Sequence, residues 1–198
     1  MSIYHILFEK VFSFLMLKLE NELPSNLKYH NPAHTKNVIE AVIELAGKEA
    51  IEEGELLLLK TSALFHDSGF MVSHENHEEH SIAFARKFLP DFGYSAIQID
   101  RIYALILSTR LPHTLFDPLS SYICDADLYY LGGHAYKFYA NELYKELNSL
   151  AIIQSKEEWH EIQIDFLRNH RYQTKTAQNE RNGQKQANLQ ELLSTGVL

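Results

Sequence analysis

The chain has 198 residues, 45 % of them hydrophobic, and a formal net charge of −8. That length suffices for one domain with a sizeable core, and the acidic balance argues against a large nucleic-acid groove, which needs a basic stripe. With 8 glycines, 5 prolines and the single cysteine Cys124, the composition disfavours a turn-rich β fold and excludes an internal disulfide framework, and it fits a reducing, cytoplasmic setting.

Taken in order, the apolar positions read as a series of amphipathic helices. Ile3, Ile6, Leu7, Val11, Phe14, Leu15 and Leu19 follow a 3.6-residue rhythm over residues 3–22. Glu9, Lys10, Lys18 and Glu20 interrupt that stretch, so it lacks the pattern of a signal peptide, and no apolar run in the chain is long enough to span a bilayer. Pro24 and Ser25 break the rhythm. Pro32 suits the first turn of a second helix, because its missing N–H has no partner to lose there. That helix runs through Val38, Ile39, Val42, Ile43 and Leu45 toward Ile51.

A third helix, from Glu55 to about Asp67, is apolar on most sides and belongs in the core. Gly69 ends it, and a polar loop follows to Asn76. Further helices are expected from about His77 to Leu89, Ser95 to Thr109, Leu119 to Leu131, His134 to Leu150 and Ser155 to His170. Glu158 stands where a capping-box partner of Ser155 would. Residues 171–198 are rich in Gln and Asn and are expected to form a short helix or two, with a frayed end. The expected architecture is an all-α, single-domain helical bundle over residues 1–198. Its core covers about 29–170, and 171–198 form a peripheral C-terminal extension.

Four pieces of sequence carry chemistry: Tyr29-His30-Asn31-Pro32-Ala33-His34, His66-Asp67, Glu75-Asn76-His77, and Cys124-Asp125-Ala126-Asp127-Leu128. Imidazole and carboxylate together suit divalent ions such as Mn, Fe, Zn and Mg. His66 and Asp67 end a helix that is otherwise apolar. Two ionisable groups there must find partners or cost several kcal/mol each, and one shared cation would satisfy both. Neighbouring helical side chains diverge by about a hundred degrees, so the two can meet only off the helix end. The alternative is a core histidine capped by an aspartate. Asp125 reads as a first-turn acid that complements the helix dipole; Asp127 faces elsewhere.

The order His34, His66-Asp67, Asp127 resembles the HD superfamily of metal-dependent phosphohydrolases. Tyr-His-Asn-x-x-His at 29–34 is similar to the start of cyclic nucleotide phosphodiesterase catalytic domains. Glu75-Asn76-His77, Leu105-Ile106-Leu107-Ser108-Thr109 and Ala126-Asp127-Leu128 look like further landmarks of those enzymes. The run Cys-Asp-Ala-Asp-Leu-x-Tyr-Leu-Gly also resembles a group of bacterial HD-domain proteins. The likeness covers about residues 29–170, but the loop after His66-Asp67 is much shorter than in the phosphodiesterases and the chain is far smaller.

The resemblance implies that His34, His66, Asp67 and Asp127 hold one divalent metal (Mn, Fe, Mg or Zn), with Asp67 able to bridge to a second ion. It places His30 as the general acid for the leaving oxygen and Asp67 at the catalytic centre. It makes His77 and His113 either ligands of a second metal or groups that orient the first set. Gln163 is similar to the late glutamine with which phosphodiesterases hold the base. Arg110, beside the Ser108-Thr109 landmark, is a candidate phosphate contact, since a guanidinium pairs well with phosphate; its other reading is a cation at a helix C-terminus.

The implied function is hydrolysis of a phosphate mono- or diester, with a small phosphorylated substrate, a nucleotide by preference, and no membrane partner. A homo-oligomer is compatible with the sequence. Alternatives are a cyclic nucleotide phosphodiesterase specifically, a di-iron oxygenase of HD type, and a non-catalytic metal-binding signalling module.

Overall fold

A computed structural model describes residues 2–195. Among them are nine α-helices, three short 3-10 turns and no strand. The all-α expectation holds. Two compact units make up the chain. One gathers the segment up to Pro24 with His30–Asp127; the other gathers Ser25–Tyr29 with the segment from Leu128 onward.

The first unit contains α1 (Ile3–Glu22), α2 (Pro32–Lys48), α3 (Glu53–Phe65), α4 (His77–Phe88), α5 (Ala96–Ser108) and α6 (Ser120–Asp127). Their starts follow ordinary capping chemistry. The Ser2 hydroxyl accepts from the Tyr4 N–H. Asn31 Oδ1 accepts from Ala33 N and His34 N at 2.9 and 3.2 Å, with Pro32 in the first turn. Ser95 and Gln98 form a reciprocal capping box at α5.

Helix α3 is the central element. Leu57, Leu58, Leu59, Ala63, Leu64 and Phe65 are all buried, and α1, α2, α5 and α6 pack around it. A helix apolar on nearly every side has this one stable location. Its last turn therefore delivers the residues that follow, His66 and Asp67, into the interior.

The second unit contains α7 (Tyr136–Ser149), α8 (Lys156–Asn169) and α9 (Lys175–Thr195). Leu128, Leu131, Tyr136, Ala140, Leu167, Leu189 and Leu192 form its core, with Tyr130 and Trp159 packed against them. The Glu146 carboxylate is fully buried and accepts from the Tyr29 N–H at 2.8 Å. Gly132 allows α9 to approach closely: a Cβ there would stand 2.4 Å from the Arg181 carbonyl oxygen.

Four details depart from the sequence reading. Helix α6 stops at Asp127, and Tyr129–Gly132 continue as a 3-10 turn. Asp125 is buried near the end of α6 and is not a first-turn acid. The described part of 171–198 is dominated by one helix of 21 residues, α9. Its burial relies on polar side chains as well as leucines. Asn188 Nδ2 donates to the Leu131 carbonyl at 2.9 Å, and Lys185 Nζ to the His170 carbonyl at 2.7 Å. Hydrophobic periodicity cannot register such positions. At α8 the Ser155 hydroxyl caps Glu158 N, while the Glu158 carboxylate accepts from Gln154 N, one residue before the position a capping box requires.

Candidate metal centre

Four residues from three helix termini meet inside the first unit. His34 is the third residue of α2, and its backbone N–H is held by the Asn31 cap. His66 is the first residue beyond α3, and its N–H still bonds the Ser62 carbonyl at 2.8 Å. Asp67 follows with φ −104° and ψ 4°, which turns the chain out of the helix and into the 3-10 turn Ser68–Met71. Asp127 is the last residue of α6. The divergence expected of adjacent helical side chains is avoided because His66 and Asp67 sit at the exit of α3.

The atoms converge closely. His34 Nε2 lies 3.3 Å from Asp67 Oδ2 and 3.2 Å from Asp127 Oδ1. His66 Nε2 lies 3.1 and 3.5 Å from the same two oxygens. The two Nε2 atoms are 3.3 Å apart. Donor atoms about 2.1 Å from a shared ion stand roughly 3.0–3.4 Å apart, from octahedral to tetrahedral angles. His34, His66 and Asp127 could therefore hold a metal ion.

Two further observations fit a cation. Asp67 Oδ2 is buried and receives no directed hydrogen bond, although two imidazole nitrogens stand beside it; such an oxygen is costly unless something positive satisfies it. His66 Nδ1 faces the Ala63 carbonyl at 2.8 Å. An N–H donated there leaves the Nε2 lone pair directed into the cluster, the arrangement usual for a metal-binding histidine.

The electrostatics agree. Burial would raise the Asp67 carboxyl, but His66, His30 and His34 outweigh it and hold it well below the usual carboxylate value. Asp127 is likewise depressed by His34 and His66 against the effect of its burial. Burial would lower the two imidazoles, yet the two aspartates raise His34 and raise His66 further. Two carboxylates in a buried pocket favour positive charge beside them, which is the cause of the upward shift of both imidazoles.

The chain shares its fold with Bacillus subtilis YpgQ. The crystal structure of that protein in complex with ADP aligns with a TM-score of 0.67, covering 99 % of each chain at 16 % identity. No family model and no curated protein matches the sequence.

The remaining candidates fall into three groups. His30, half-buried, stands beside the cluster: its ring centroid is 5.8 Å from that of His34 and 6.5 Å from that of His77. His77, the first residue of α4, places Nε2 3.7 Å from Asp67 Oδ1 and 3.7 Å from Glu78 Oε1. His113 lies on the loop before α6. Its Nε2 is buried without a hydrogen-bond partner, and burial lowers its pKa, partly offset by Asp127.

Arg110 lies two residues beyond α5 and pairs with the Glu79 carboxylate, with Glu78 Oε2 3.4 Å away. Its guanidinium thus reaches the His77 neighbourhood through Glu78. Gln163 is in the second unit, where its Oε1 accepts from the Tyr136 hydroxyl at 2.9 Å. It lines a cavity of about 130 Å³ together with Trp159, Tyr144 and His160.

Sequence reasoning missed the residues that hold the turn after Asp67. The Ser81 hydroxyl, on α4, donates to the His66 carbonyl at 2.6 Å and accepts from Gly69 N at 2.8 Å. Gly69 is required because a Cβ there would stand 1.8 Å from the His77 carbonyl oxygen. Phe70 and Glu78 were likewise unmarked. Gly69 was marked only as the end of the third helix, and a serine or a phenylalanine has no sequence signal until the contact across the fold is known.

Proposed function

We propose that this chain is a divalent-metal-dependent phosphohydrolase acting on a small phosphate ester, with a nucleotide as the preferred substrate class. The observation that carries the reading is the meeting of His34, His66, Asp67 and Asp127, with Asp67 Oδ2 buried and undonated. Two imidazoles and two carboxylates suit Mn, Fe, Zn or Mg and leave coordination positions open. The ADP seen bound to YpgQ, which shares the fold, supports a nucleotide as substrate.

In this reading His34, His66, Asp67 and Asp127 are the ligands. A bound divalent ion supplies Lewis-acid polarisation of the phosphoryl oxygens and acidifies water. Asp67 directs Oδ2 to the cluster and Oδ1 toward His77, so its carboxylate can serve two neighbours. His30 delivers a proton to the leaving oxygen; its place beside His34 and His77 puts an acid–base group at the rim of the cluster. His77 and His113 hold a second cation or orient the ligand carboxylates. Arg110 is the nearby phosphate-pairing cation, exchanging its bond to Glu79 for one to substrate.

The test is a metal-stripped protein reloaded separately with Mn, Mg, Fe or Zn and assayed against nucleoside diphosphates, triphosphates, monophosphates and cyclic nucleotides. Metal-dependent phosphate or nucleotide release that disappears in Asp67→Ala is expected. Full metal content in Asp67→Ala, or no turnover with any metal, overturns the proposal.

A further inference from the structure

We propose that Phe70 is a positioning residue that aims the imidazole of His30; this rests on the phosphohydrolase reading above, in which His30 is the acid. Phe70 is buried in the 3-10 turn Ser68–Met71. Its ring stacks on His30 at a centroid distance of 4.4 Å and 24°, and on His77 at 4.1 Å and 16°. It also meets the edge of His74 at 5.4 Å. One phenyl ring therefore touches three of the histidines around the cluster.

His30 precedes the Asn31 cap and lies outside α2, so its orientation is set by tertiary neighbours, the Phe70 ring among them. The terminal torsion of a histidine is broad and two-fold, and a flat ring at stacking distance restricts it. The same turn anchors Phe70 to the ligand set: Phe70 N donates to the Asp67 carbonyl at 3.1 Å. The acid and the ligand Asp67 are thus referenced to one hydrogen-bonded turn. In the reaction, water oxygen bonds to phosphorus and the ester P–O bond breaks. The bonding pair departs on the leaving oxygen, and the His30 imidazolium supplies the proton that neutralises it.

An acid matters most when the leaving group is poor. The experiment compares kcat for a nitrophenyl phosphate ester, whose phenolate leaves unaided, with kcat for an alkyl or nucleoside ester of the same phosphate. Phe70→Leu keeps bulk and apolarity but removes the flat face. It is expected to lower kcat on the alkyl ester about 10–100-fold, with a far smaller loss on the nitrophenyl ester and unchanged metal content. The double variant His30→Ala/Phe70→Leu is expected to be no slower than His30→Ala alone, because Phe70 acts through His30. Should Phe70→Leu not fold, Phe70→Met carries the same comparison.

Equal losses on both esters, or additive losses in the double variant, overturn the role of Phe70 and leave the phosphohydrolase reading standing. A wild-type protein that turns over neither ester overturns both.

Discussion

The Nε2 atoms of His34 and His66 face each other at 3.3 Å, although the two residues are 32 positions apart. Two imidazole nitrogens at that distance either share a proton or direct lone pairs at a common partner. Asp67 Oδ2 and Asp127 Oδ1 both lie within 3.5 Å of the two nitrogens, so that one cation could satisfy all four groups.

A bound metal should therefore stabilise the fold. Mn or Zn at about a hundred times its dissociation constant contributes roughly 2.7 kcal/mol, which corresponds to a melting-temperature rise of about 5–10 °C for a chain of this size. In His66→Ala the rise is expected to vanish. Differential scanning fluorimetry with and without metal, on wild type and variant, measures it. An equal rise in His66→Ala removes this residue from the ligand set.

Ser81→Ala should weaken both fold and centre. The substitution leaves the His66 carbonyl and the Gly69 N–H buried without their shared partner, a cost of about 2–4 kcal/mol. The turn that carries Asp67 loosens, and metal affinity is expected to fall about 10–100-fold. Urea titration gives the first quantity and competition with a fluorescent chelator the second.

Gly69→Ala should cost about 3 kcal/mol or more, since the added methyl would overlap the His77 carbonyl oxygen of α4. The obstacle is helix backbone, so no side-chain rotation relieves it. Chemical denaturation of this variant beside Gly183→Ala provides an internal control, because a Cβ at Gly183 meets nothing within 4 Å. There the gain in helix propensity should make the change neutral or stabilising.

The loop that bears His113 is fastened by Asp117. Its oxygens accept from Arg101 Nε at 2.7 Å, Arg101 Nη2 at 2.9 Å and Leu119 N at 2.9 Å. Burial raises the Asp117 carboxyl, but Arg101 and the Leu119 N–H outweigh it and lower its pKa in the folded chain. A carboxylate with a depressed folded pKa contributes stability that is present above its unfolded value, about 3.9. That stability is lost as pH falls through the folded value. Asp117→Asn should therefore cost about 1–3 kcal/mol near pH 7, and the gap from wild type should narrow below about pH 4. Denaturation curves at pH 7 and pH 3 test the sign; a gap that widens in acid contradicts it.

The sequence was informative where local chemistry decides local structure. Pro32 marked the start of α2 and Ser95 that of α5, because the first turn of a helix is decided by its near neighbours in the chain. Leu57, Leu58, Leu59, Ala63 and Leu64 marked α3 as interior by apolarity alone. Helix α9 was less legible, since Asn188 and Lys185 are buried through hydrogen bonds to distant carbonyls and carry no apolar signature. The stop of α6 at Asp127 had no breaker before Gly132 to announce it.

By itself the sequence determined the helical class, the burial of α3 and the identity of the ionisable groups that the end of that helix would carry inward. These follow from side-chain hydrophobicity and from hydrogen bonds between near neighbours. Only the tertiary structure decided that His34, His66, Asp67 and Asp127 meet at one point. It also decided that Ser81 and Gly69 hold the turn between them, and that Phe70 faces His30. Those relationships depend on how α2, α3, α4 and α6 pack, and packing is a property of whole surfaces that no short window of residues encodes.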